Sequence, residues 1–134
     1  MIYIIGYVTA LLTFFLADMA WLSMMAPRFY RPAMGDIALS GVNLPPAIIF
    51  YALYPIGLLI FAINPALKIG SIASACIYGA LFGFFTYATY DLTNHATLRN
   101  WTVQLTLIDA AWGTILAAIT STMAFWVVSK LAAN

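Results

Sequence analysis

Charge is scarce in this chain. Four Asp or Glu and five Lys or Arg make up 7% of its 134 residues, where a soluble domain carries about 25%. Nine charged side chains cannot clothe a domain of this size for water, so the bilayer must solvate most of it. A basic excess is missing too. With a net charge of +1 there is no patch to displace counterions from nucleic acid, and no nucleic-acid partner is expected. The single cysteine, Cys76, cannot close an internal disulfide or offer paired thiolates to a metal. It is expected to pack as a small buried residue. No Gly-x-Ser-x-Gly turn, phosphate loop or dinucleotide fingerprint occurs, and no cofactor is assigned.

Apolar residues are abundant, at 65% of the chain. A membrane span needs about 20 mostly apolar residues, and four segments qualify: 2–25, 46–63, 69–91 and 102–128. The first has no basic stretch before it and exceeds the roughly 7–15 apolar residues of a signal peptide, so it is read as a retained span. These features predict one all-α domain, an integral membrane four-helix bundle over residues 1–134.

The connections carry their own signals. Residues 26–44 mix Arg28, Phe29, Tyr30 and Arg31 with apolar residues, which suits either a short interfacial helix or an ordinary connector. Asn64-Pro65 is expected to close the second span, with Lys68 in a short turn. Pro55 inside that span removes one backbone donor, freeing the Tyr51 carbonyl. Ala75, Gly79 and Gly83 recur every fourth residue, as do Gly113, Ala117 and Ser121. Such rows let helix backbones approach closely. They are read as packing faces, with homodimerisation as their alternative use.

An even number of spans puts both termini on one side, side A. Asp18, Asp91 and Asp109 then all lie towards the opposite side, B. Arg28, Arg31, Asp36, Asn94, His95, Arg99 and Asn100 gather at the same end, while side A keeps Lys68 and Lys130. Intramembrane carboxylates are costly and usually face partners in the bundle interior. The three side-B arginines could neutralise them as purely structural ion pairs. The first span also echoes the fourth: Asp18 and Trp21 are three residues apart, as are Asp109 and Trp112. In antiparallel helices this spacing predicts that the two Asp meet while the Trp rings point opposite ways. In residues 87–101, a continuing helix would put Tyr87, Asp91, Asn94 and His95 on one face.

Two functional readings follow. In one, a membrane enzyme or binding protein takes a lipid-like or isoprenoid molecule. Asp18 and Asp109 share a proton as acid and base, and Asp91 orients His95. Trp21, Tyr87, Asn94 and Trp112 line the substrate, with Arg28, Arg31 or Arg99 on an anionic head group. In the other, the acids form a relay for protons or a small solute. Against this second reading, no continuous polar path to side A is visible, Thr9 and Thr13 being the only weak extension in the first span. A metal on Asp18, Asp91, Asp109 and His95 lacks diagnostic spacing, and none is assigned.

The stretch Tyr87–Trp101, with its Asp-Leu-Thr-Asn at Asp91–Asn94 and the two Asp-x-x-Trp pairs, resembles a family of small bacterial inner-membrane proteins catalogued as domain of unknown function 2177. The resemblance covers essentially the whole chain. It implies four spans and a bacterial inner membrane, and brings no activity with it. Members of that family often carry a basic residue after the first Met, where this chain has Ile2.

Overall fold

The computed structural model describes residues 1–134, all helical apart from short connections. The first span begins as α1 (Ile2–Met25), passes through a π-helical turn at Ala26–Tyr30 into the short α2 (Arg31–Met34), and ends in a 3₁₀ turn at Gly35–Ile37. The second comprises α3 (Leu44–Leu58), a second π turn (Leu59–Ile63) and α4 (Asn64–Ile69). The third is α5 (Ile72–Thr97) and the fourth α6 (Val103–Ala132). All four stretches are long and apolar enough to cross a membrane. Helix is what lipid demands, because every backbone N–H and C=O must find its partner inside the segment.

The helices run further than hydropathy alone suggests. Residues 26–37 run on from the first helix without an intervening loop, and Asn64-Pro65 does not end the second span. Proline inside a helix removes a donor and crowds the carbonyl four residues back. A π turn relieves this by widening the ring by one residue. Pro27 lies within the first π turn and Pro32 just beyond it, and Pro65 follows the second. Arg31 N–H reaches the Ala26 carbonyl and Asn64 N–H the Leu59 carbonyl, each across five residues. The second span stops at Gly70, whose φ of 78° suits glycine. Ser71 and Thr102 cap α5 and α6 by accepting from the backbone N–H three residues on.

The tightest seam joins α5 to α6. A Cβ on Gly79 would stand 2.6 Å from both the Ala117 carbonyl oxygen and Ser121 Oγ, and one on Gly83 would collide with the Gly113 carbonyl. The two small-residue rows therefore meet each other within the chain, allowing backbone-to-backbone contact where lipid gives no hydrophobic drive for association. Cys76 lies off this row and is exposed on the outer surface of α5, not buried as its size suggested. In lipid a small apolar side chain gains nothing by being buried.

The side-A half is closed by Ala10, Phe14, Leu58, Ile63, Leu116 and Ala117, none with any exposed surface beyond Phe14's level of 0%. Towards side B the second span diverges. There α3 packs along α1, while α5 meets the second span chiefly through Leu59–Ile63 and α4. Only side chains bridge the gap between α3 and α5 at that level, notably Tyr54 to Thr86 at 2.8 Å.

Candidate functional site

Divergence of α3 leaves a cavity of about 560 Å³ in the side-B half. Its lining comes from every span: Asp18, Leu22 and Ala26 from the first, Phe50, Tyr51 and Tyr54 from the second, Thr86, Tyr87 and Tyr90 from the third, Asp109 from the fourth. Tyr30 and Met34, on the continuation of the first span, complete it.

Asp18 is nearly buried on α1. It accepts from the Tyr51 hydroxyl at 2.6 Å and from Trp112 Nε1 at 3.0 Å. Asp109, equally buried on α6, accepts a short bond from the Tyr30 hydroxyl. Tyr30 in turn accepts from Trp21 Nε1 at 3.1 Å. The two indoles stack with centroids 4.4 Å apart and planes 3° from parallel. Each Asp-x-x-Trp pair therefore reaches across to the other: Trp112 to Asp18 directly, Trp21 to Asp109 through Tyr30. The expectation that the Trp rings point opposite ways along the bundle does not hold. The register offsets the two Asp along the bundle and so brings the rings to the same level, where their faces meet.

Asp18 and Asp109 both line the cavity, but the carboxylate within hydrogen-bonding reach of Asp109 is Asp91. Asp91 has no exposed surface and neither of its oxygens has a donor. The helix rows explain this. Ala75, Gly79, Gly83, Tyr87 and Asp91 fall every fourth residue on α5, as do Asp109, Gly113, Ala117 and Ser121 on α6. Antiparallel rows that seat Gly83 on Gly113 bring Asp91 to Asp109. The rows were visible in the sequence, and extending the α6 row by one position and the α5 row by two reaches the pair.

Asp91 does not orient His95. The imidazole lies one turn further on, half-buried, with no side-chain hydrogen bond, and does not line the cavity. Asn94 is likewise half-buried outside the lining, beside Tyr90. Tyr87 does line the cavity, its ring resting on Gly113. Trp21 and Trp112 stand behind the lining as supports of the carboxylates.

The arginines are elsewhere. Arg28 and Arg31 are exposed, and Arg31 bonds the Leu39 carbonyl at 3.3 Å. Arg99 borders a separate side-B depression with Asp36 and Asn100. No arginine or lysine acts on Asp91 or Asp109, and Asp18 is held by neutral donors. The ion pairs considered from the sequence do not form, because the guanidinium groups stay at the water-facing end. No three His, Cys, Asp or Glu side chains converge as a metal site would require.

The second span offers no charge between residues 46 and 63 to mark it in the sequence. Yet Tyr51 and Tyr54 supply one wall of the cavity, and Tyr51 is a principal partner of Asp18. The signal available was a pair of tyrosines in an otherwise apolar span, at positions three apart and so on one helix face.

No curated protein and no solved structure matches the chain. A family model described as a predicted membrane protein, DUF2177, matches residues 3–126. That match takes in all four spans, both Asp-x-x-Trp pairs and the whole cavity lining, so the chain belongs to the DUF2177 family of membrane proteins.

Proposed function

We propose that this protein binds a lipid-like or isoprenoid molecule in the side-B cavity, as an inner-membrane protein of a bacterium. The observation that carries the reading is the cavity's division of labour. Nine of its twelve lining residues are hydrophobic, and two carboxylates stand among them. Small-molecule sites are commonly apolar hollows with a few placed polar groups. A gap between α3 and α5, two of the membrane-spanning stretches, suits a ligand that arrives from the bilayer. The closed apolar layer at Phe14, Leu58 and Leu116 favours binding over passage of protons or solutes to side A.

Acid–base chemistry on the bound molecule is the second reading. It draws on Asp91, a buried carboxylate without a donor placed directly behind Asp109. Two carboxylates in contact resist double ionisation, so Asp109 could exchange a proton with the ligand while Asp91 takes up the difference.

The test is to fill the cavity. Ala26 lines it without a polar role, so Ala26→Phe occupies its volume and leaves the hydrogen bonds in place. Native mass spectrometry and lipid extraction of the purified full-length protein should find a small apolar molecule with the unaltered chain and not with Ala26→Phe. Identical extracts from the two would refute the binding reading. For the second reading, Asp91→Asn should leave the ligand bound and abolish its conversion.

A further inference from the structure

We infer that the cavity takes a lipophilic amine, its protonated nitrogen lodged between Asp18 and Asp109 and its hydrocarbon body directed to the gap between α3 and α5. This rests on the binding reading above and names the ligand class for the same cavity.

The argument is an account of donors and acceptors. Four of the six hydroxyl donors in the lining are already committed, those of Tyr87 and Tyr90 being the exceptions. The Tyr51 hydroxyl donates to Asp18 and the Tyr30 hydroxyl to Asp109. The indole N–H groups of Trp21 and Trp112 are taken by Tyr30 and Asp18. Thr86 donates to the Phe82 carbonyl at 2.8 Å, so its oxygen receives the Tyr54 hydroxyl. A carboxylate has about four lone-pair sites and a hydroxyl two. Once these bonds are drawn, what remains for a ligand is two hydroxyl donors, on Tyr87 and Tyr90, against a larger set of acceptors: the further lone pairs of both carboxylates and those of Tyr51 and Tyr54. A head group rich in N–H donors meets that inventory better than a phosphate, sulfate or carboxylate, for which two neutral hydroxyls are all that is left.

Charge points the same way. The lining contains two carboxylates and no Lys, Arg or His, with Asp91 close behind. An anionic head group would sit against like charge in a poorly solvated site, whereas an ammonium would supply the cation that the chain itself withholds. The walls add to this. Six of the twelve lining residues are aromatic, and aromatic faces attract ammonium groups, more strongly where water is excluded. The arginines considered for an anionic head group all lie outside the cavity.

The experiment uses the full-length protein in phosphatidylcholine nanodiscs and three labelled probes of equal chain length: dodecylamine, dodecanol and dodecanoate. Saturable binding is measured at neutral pH against empty nanodiscs. Dodecylamine should bind at least about tenfold more tightly than dodecanol, and dodecanoate should not saturate. Asp109→Asn, which keeps the side-chain shape, should remove most of the amine's advantage over dodecanol. Ala26→Phe should abolish saturable binding of both. Equal affinity for amine and alcohol, or preference for the carboxylate, would overturn the amine inference and leave the apolar pocket standing. Absence of saturable binding by all three would overturn both. Amine binding that survives Ala26→Phe would place the site elsewhere and overturn the inference too. The probe series on the unaltered chain decides the question even if Asp109→Asn fails to fold.

Discussion

Trp21 and Trp112 lie face to face, centroids 4.4 Å apart, and this one stack joins the first and fourth spans at the level of the two cavity carboxylates. Each indole also spends its N–H towards the acid carried by the other helix, Trp112 directly and Trp21 through Tyr30. Neither Asp-x-x-Trp pair is a site alone. Together they form a cross-brace that holds Asp18 and Asp109 without a cation.

Trp112→Phe keeps an aromatic face on Trp21 but removes the donor to Asp18. A hydrogen bond to a charged group contributes about 1.5–3 kcal/mol, and Tyr51 still serves the other oxygen. A loss near 1–2 kcal/mol is expected by reversible unfolding in detergent. Trp112→Ala should cost more, because aromatic pairing adds about 0.5–1.5 kcal/mol beyond burial. Equal stability of the two variants would show that the stack contributes nothing.

The acids should answer differently to neutralisation. Asp18 accepts two bonds, so Asp18→Asn forfeits charge-assisted bonding and lowers the melting temperature. Asp91 accepts none and is fully buried. Asp91→Asn keeps the side-chain shape and brings a permanent amide donor to Asp109, so the melting temperature should hold or rise. A fall of more than about 1 kcal/mol in Asp91→Asn would reveal a donor that the structure does not contain.

Glycine substitutions should rank by what the new methyl meets. On Gly83 it strikes the Gly113 carbonyl, backbone that cannot move without parting α5 from α6. On Gly57 it approaches only the far end of the Phe82 ring, at 2.8 Å, which can swing aside. Gly83→Ala should therefore cost well over the roughly 1–3 kcal/mol typical of overpacking and deplete folded protein in the membrane. Gly57→Ala should stay within about 1 kcal/mol. Comparable yields and thermal stabilities would contradict the close seam.

His95→Gln is expected to be silent. The imidazole has no hydrogen-bond partner and lies outside the cavity lining, so stability should change by less than about 0.5 kcal/mol and probe binding not at all. A tenfold loss of dodecylamine binding in this variant would bring His95 back into the site.

The four spans and the gathering of acids at one end were legible in residue order. Hydropathy along the chain is a local property, and in lipid it leaves helix as the outcome. Even the small-residue seam was visible, because Gly79, Gly83, Gly113 and Ala117 announce close packing by their size. The proline-linked π turns were not, and the first and second spans run on past points that look like ends.

What residue order could not decide was rotation about each helix axis. In water, an apolar stripe marks the inward face. Here Leu16, Phe85 and Leu107 point outward as freely as Phe14, Leu58 and Leu116 point inward, because lipid and protein interior solvate apolar groups almost equally well. The chain alone therefore determined that three aspartates would lie near side B. Only the packed bundle decided that Asp91 turns to Asp109, that Asp18 turns to Tyr51 and Trp112, that the arginines and His95 stand aside, and that α3 leans away to open a cavity. Those outcomes follow from side-chain volumes meeting across helices, above all the glycine rows that lock α5 to α6 and fix where every other polar group must point.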